Sequence, residues 1–160
     1  MWQKKKLNIV IGIILLIVII GLGFYRDFIF ININYIVDQL YYNKEVGHYH
    51  SMYEYLIPLD ISGLMSLKWG LTMLFTFINL LLSVLIIKAL LVNSSKPLRL
   101  LYLSYLVIFL LSAATYIVGK LIGQQDIGYT LARRFMGTLQ SPVPLMVVTA
   151  AHMLFYREGS

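Results

Sequence analysis

Nineteen consecutive residues from Leu7 to Tyr25 contain one strongly polar side chain, Asn8, and follow directly on Trp2 and the cluster Lys4-Lys5-Lys6. Such a run has few ways to fold. Roughly 20 apolar residues are what a helix needs to cross a bilayer, with its backbone hydrogen bonds made inside the segment. A secretory signal is the competing reading, because Gly21-Leu22-Gly23 loosely resembles a small-x-small cleavage site. With Met1 and the run both present in the sequence, an uncleaved first helix is expected.

The rest of the chain agrees with a membrane setting. Hydrophobic residues make up 59% of its 160 residues and charged ones 12%, with a mean hydropathy of +0.79, too apolar for an ordinary water-soluble domain. The absence of cysteine excludes disulfides, thiolate metal sites and a cysteine nucleophile. The net charge of +6 is not a nucleic-acid footprint, because the basic residues sit at the ends of apolar runs rather than on one face. They read as orientation signals.

The sequence predicts an all-α membrane protein forming a single transmembrane domain over residues 1–160. Its four helices are expected at about 7–25, 69–88, 98–118 and 135–156, with an outer loop over 26–68. That loop carries Asp27, Asp38, Glu45, Glu54 and Asp60 and tyrosines at 35, 41, 42, 49, 53 and 55. Residues 28–37, with Asn32 and Asn34 interleaved, are too short to cross and suit the interface. Pro58 and Gly63 are expected to break the chain before the second helix. Asn93 to Pro97 reads as a polar turn. Gly119 and Gly123 allow two readings, close helix contact or a C-cap. With the termini cytoplasmic, that side holds Lys4, Lys5, Lys6, Lys88, Lys96, Arg99 and Arg157; the other holds Arg26, Lys44, Lys68, Lys120, Arg133 and Arg134. Seven against six is a small bias, and the three-lysine N-terminus reinforces it.

The candidate site lies in the stretch from Arg133 to Pro144. Pro142 cannot donate to the carbonyl of Thr138, nor Pro144 to that of Gln140, so the fourth helix is expected to be broken or kinked there. Ser141 reads as an N-cap followed by proline at the first helical position. Arg133 and Arg134, helped by Gln140, would then stand near a helix N-terminus, where guanidinium groups and free N–H groups favour an anion. The plainer reading is that the arginines anchor the helix at the headgroups. Arg26, beside Asp27, is either a local ion pair or a further contact in the same site. Asn79 and His152 are read as intramembrane polar packing residues. His48, His50 and Glu54 have zinc-ligand chemistry but lack a HExxH pattern or an i, i+4 histidine pair, so no metal site is expected. No nucleophile-base constellation and no phosphate-cradling glycine loop appear, so neither catalytic residues nor a cofactor are expected.

Several short motifs occur in a familiar order: Arg26-Asp27-Phe28-Ile29-Phe30 after the first run, Pro58-Leu59-Asp60, Asn79-Leu80-Leu81-Leu82-Ser83, and Arg133-Arg134-Phe135. In this order the chain resembles the small exosortase F system-associated membrane proteins. The family pattern places Gln-Pro sooner after Arg-Arg-Phe, whereas here Gly137-Thr138-Leu139 intervene and Ser141 separates Gln140 from Pro142. The resemblance implies a non-enzymatic accessory subunit of an exosortase-like sorting and transpeptidase system in a bacterial inner membrane. Its partners would be membrane lipids and a polytopic exosortase-like protein. The alternative function is a stand-alone lipid-binding or small-molecule transport protein with an arginine-lined anion site.

Overall fold

A computed structural model describes residues 2–42, 56, 59–91 and 95–156. Among these the chain is all helical: α1 (Trp2–Tyr41), α2 (Ile61–Leu90), α3 (Lys96–Leu121), α4 (Gln125–Leu139) and α5 (Val143–Tyr156). The first three are long and apolar enough to cross a membrane. The zinc-type residues His48, His50 and Glu54, the tyrosines at 49, 53 and 55, and Pro58 lie outside the described residues.

The expected outer loop is largely helical where it is described. Helix α1 does not stop at Tyr25 but continues through Arg26-Asp27 to Tyr41, so residues 28–37 belong to the C-terminal part of one continuous helix rather than to a separate segment. Two things make this possible. Arg26 and Asp27 neutralise each other at 2.6 Å, and beyond them Ile33, Ile36 and Val37 recur at helical spacing and are buried against Leu64 of α2. At 40 residues, α1 is about 60 Å long, twice the thickness of a hydrocarbon layer.

Helix α2 likewise begins eight residues earlier than expected. Gly63 does not break the chain; it lies in the first turn, where its N–H donates to the Asp60 carboxylate at 2.8 Å. Asp60, in extended conformation, is therefore the N-cap. Its carboxyl pKa is held below the ordinary value by the hydroxyl of Ser62, 2.7 Å away, and by the Gly63 N–H.

Two antiparallel hairpins result. In one, α1 packs along α2, with Asn34 level with Lys68 and Gly12 against Leu90. In the other, α4 returns along α3 and α5 continues beside it, while α2 touches both α3 and α4. The turn between α3 and α4 gives each of the two candidate glycines a separate task. Gly123, at φ 75°, ends α3 in a Schellman arrangement: Gln124 N–H donates to Gly119 C=O at 2.9 Å and Gly123 N–H to Lys120 C=O at 3.4 Å. Gly119 is the close-contact glycine, where a Cβ would come within 2.5 Å of the Gly128 Cα on α4.

The apolar core is in two parts. One lies among α2, α3, α4 and α5, built from Ile86, Ile87, Leu101, Tyr105, Leu139, Leu145 and Val148. The other joins the C-terminal half of α1 and the start of α2. Along α1 and α2, a layer of polar side chains separates them.

Candidate functional site

The separating layer is built around Gln140, which sits just past the end of α4 and is 2% exposed. Its position follows from local sequence. Pro142 cannot continue the α4 ladder, so α4 ends and the Gln140 N–H turns back to Met136 and Gly137 carbonyls. The carbonyl of Thr138, expected to be left open, is not: it accepts from the Ser141 N–H at 3.2 Å and the Ser141 hydroxyl at 2.7 Å. Helix α5 starts at Val143, one residue later than an N-cap at Ser141 would place it.

The Gln140 side chain ties three helices together. Its Oε1 accepts from Arg26 Nε of α1 at 2.7 Å. Its Nε2 donates to the Thr72 carbonyl of α2 at 3.0 Å and meets the Thr76 hydroxyl at 3.4 Å. The Thr72 and Thr76 hydroxyls donate back to the carbonyls of Lys68 and Thr72, at 2.8 Å each. Arg26 is both a local ion pair and a site residue: Nη1 holds Asp27, and the guanidinium lies 5.2 Å from the centre of the Phe30 ring.

Above this network lies a cavity of about 260 Å³. Arg26, Lys68, Arg133, Gln140, Thr72 and Ser112 give it polar lining, and Phe30, Trp69, Phe109, Tyr116, Tyr129 and three methionines make up most of the rest. The three cations come from three helices, and no carboxylate lines the cavity among the described residues. Lys68 donates to Asn34 Oδ1 at 2.6 Å and feels the charge of Arg133 across the cavity and of Asp38 from α1.

The expected site is thereby redrawn. Arg26, Arg133 and Gln140 converge on one cavity, but Arg134, one residue further round α4, does not line it, although both arginines of α4 are exposed. The N-terminus of α5 does not line it either. Lys68 does, although the sequence reading counted it only as an outer charge. Its signal was available in the four-residue spacing of Lys68, Thr72 and Thr76, which puts all three on one face of α2.

The two packing residues behave differently from each other. Asn79, 1% exposed, donates to its own helix, to Phe75 C=O at 3.0 Å, and not to a neighbouring helix. His152 is half-buried on α5 and does not line the cavity. Among the described residues, no group of three or more metal-ligating side chains occurs.

Compared with protein-family models, with curated proteins and with solved structures, the chain has no match. Fold and site define it as an all-helical protein, with three helices able to cross a membrane and a cationic, aromatic-walled cavity between its two hairpins. Any narrower description rests on the chemistry of that cavity.

Proposed function

We propose that the protein is a non-enzymatic membrane protein that holds an amphipathic anion, a phosphate or carboxylate head on an apolar tail, in the cavity between its hairpins. The observation that carries this reading is the composition of the wall. Lys68 and Arg133 present positive charge, Arg26 adds a guanidinium partly offset by Asp27, no carboxylate lines the cavity among the described residues, and apart from Thr72, Ser112 and Gln140 the other surfaces are aromatic, aliphatic or methionine. A free inorganic anion would gain nothing from those surfaces, and a neutral lipid nothing from the cations.

The topology that suits this function has four crossings, both termini cytoplasmic, and α4 with α5 as a broken fourth crossing. Charge spacing supports it. Twenty residues separate Lys68 from Lys88 and twenty-one separate Arg99 from Lys120, about the 30 Å of a hydrocarbon layer at helical rise. The cavity then opens near the outer surface. Because the chain has no cysteine, Ser95→Cys and Gln124→Cys report their sides directly. Labelling of the two from the same side contradicts this topology.

The binding test uses Trp69, which lines the cavity. Titration of the detergent-solubilised protein with dodecyl phosphate is expected to change its emission saturably, while an uncharged dodecyl glycoside does not. Lys68→Gln combined with Arg133→Gln is expected to abolish the response. An equal response to both amphiphiles would remove the anion from the proposal.

A second reading, an accessory subunit of an exosortase-like enzyme, has one supporting observation. Arg26 and Arg133 belong to two separate motifs of the resemblance and line the same cavity. Copurification from native membranes tests it, and recovery of the chain with no polytopic partner counts against it.

A further inference from the structure

Below Gln140 the polar face of α2 does not end. Lys68, Thr72 and Thr76 are followed at helical spacing by Asn79 and Ser83, so one stripe runs from the cavity into the bundle. Asn79 and Ser83 are 1% and 0% exposed, and Tyr105 of α3, whose hydroxyl neighbours that of Ser83 just outside hydrogen-bond geometry, is 6% exposed. Three oxygens there have no hydrogen-bond partner: Asn79 Oδ1, Ser83 Oγ and the Tyr105 hydroxyl. The hydroxyls of Ser83 and Tyr105 are close enough to influence each other, yet they do not meet in hydrogen-bond geometry.

The chemistry of these leftovers is specific. Asn79 has spent a donor on Phe75 C=O, so its Oδ1 needs a donor from elsewhere, while the two hydroxyls can give or accept. Ile86, Ile87 and Leu101 pack around Tyr105 and supply nothing polar. A buried polar group left unpaired costs more than immobilising a water that satisfies several such groups at once. Gln140, bonded across the stripe at Thr72 and Thr76, stands between this cluster and the cavity.

We propose that Asn79, Ser83 and Tyr105 form a buried water-binding site that continues the cavity's polar wall into the bundle, with Gln140 as the stopper between them and the Ile86, Ile87 and Leu101 cluster as its closed end. The site is a blind pocket, closed towards the cavity by Gln140 and at its other end by the apolar cluster. This site stands on its own observations and does not depend on which anion occupies the cavity.

X-ray radiolysis of the intact purified protein, read by mass spectrometry, tests it, because hydroxyl radicals made from bound water modify the nearest aromatic ring. Tyr105 is expected to be hydroxylated several-fold faster than Phe75, an aromatic residue of similar burial at 4% exposure. Ser83→Ala, a small change chosen to preserve folding, is expected to slow Tyr105 modification, and Gln140→Ala to speed it. Tyr105 reacting no faster than Phe75, or unaffected by Ser83→Ala, overturns the water site. An unchanged rate in Gln140→Ala overturns the stopper. A further check, in the Gln140→Ala background, is Ser83→Cys, whose thiol is expected to react with silver ion faster than with the stopper in place; an unchanged rate overturns the stopper.

Discussion

The second hairpin is interrupted twice, and the two interruptions are built on opposite principles. Between α3 and α4 the chain turns on backbone alone: Gly123 supplies the left-handed residue, Gly119 and Gly128 bring the helices into backbone contact, and the end of α3 is capped by its own amides. Between α4 and α5 the turn is held by a side chain that leaves its own hairpin, Gln140 reaching Arg26 and α2. The first interruption needs nothing beyond its own hairpin. The second is the only one of the two that joins the hairpins to each other, and the cationic cavity sits on it. A helix break that is satisfied locally is a packing device; one satisfied by distant polar groups fixes a site.

The contrast can be broken by substitution. Gly119→Val is expected to have the largest effect on stability, about 3 kcal/mol or failure to fold, because the added carbons meet Gly128 backbone rather than a yielding side chain. Thermal unfolding in detergent measures it. Gln140→Leu is expected to cost about 2 kcal/mol, since it strands Arg26 Nε and removes one of the donors to the Thr72 carbonyl. Unlike Gly119→Val, it should also raise proteolysis or hydrogen exchange at the junction of the hairpins while leaving the α3–α4 turn protected. Gly123→Ala forces an alanine to φ 75° and is expected to cost about 1 kcal/mol, with the cavity unchanged.

The smallest effect lies at the start of α2. Because the folded pKa of Asp60 is depressed by Ser62 and Gly63, its cap contribution is present above the ordinary carboxylate pKa and is lost as pH falls through the depressed value. Hydrogen exchange at the first turn of α2 should therefore rise as pH falls below the ordinary carboxylate value, and Asp60→Asn should remove that dependence.

The same contrast explains what could be read from the sequence. The three apolar runs were legible because hydropathy and length decide them, and the break at Pro142 because proline cannot donate. The continuation of α1 was not. Arg26-Asp27 looks like the end of a span unless one knows that Asp27 and Gln140 satisfy the arginine. Nor did adjacency separate Arg133 from Arg134, which helical rotation sends in different directions once α4 starts at Gln125. Gly119 and Gly123 each carried one of the two meanings proposed for them jointly. The grouping of Arg26, Lys68 and Arg133 is a product of packing between hairpins, and no local pattern encodes it.

If cations converging from three helices hold an anionic amphiphile, position on the cavity wall rather than exposed positive charge decides which arginine matters. The most direct measurement compares the lipids retained by purified Arg133→Gln and Arg134→Gln proteins with those retained by the unaltered chain, using mass spectrometry. Neutralising Arg133 is expected to lower retention of the anionic species about five-fold, the effect of roughly 1 kcal/mol per charge, and neutralising Arg134 to leave it unchanged. Equal losses in the two variants, or none in either, would contradict the account.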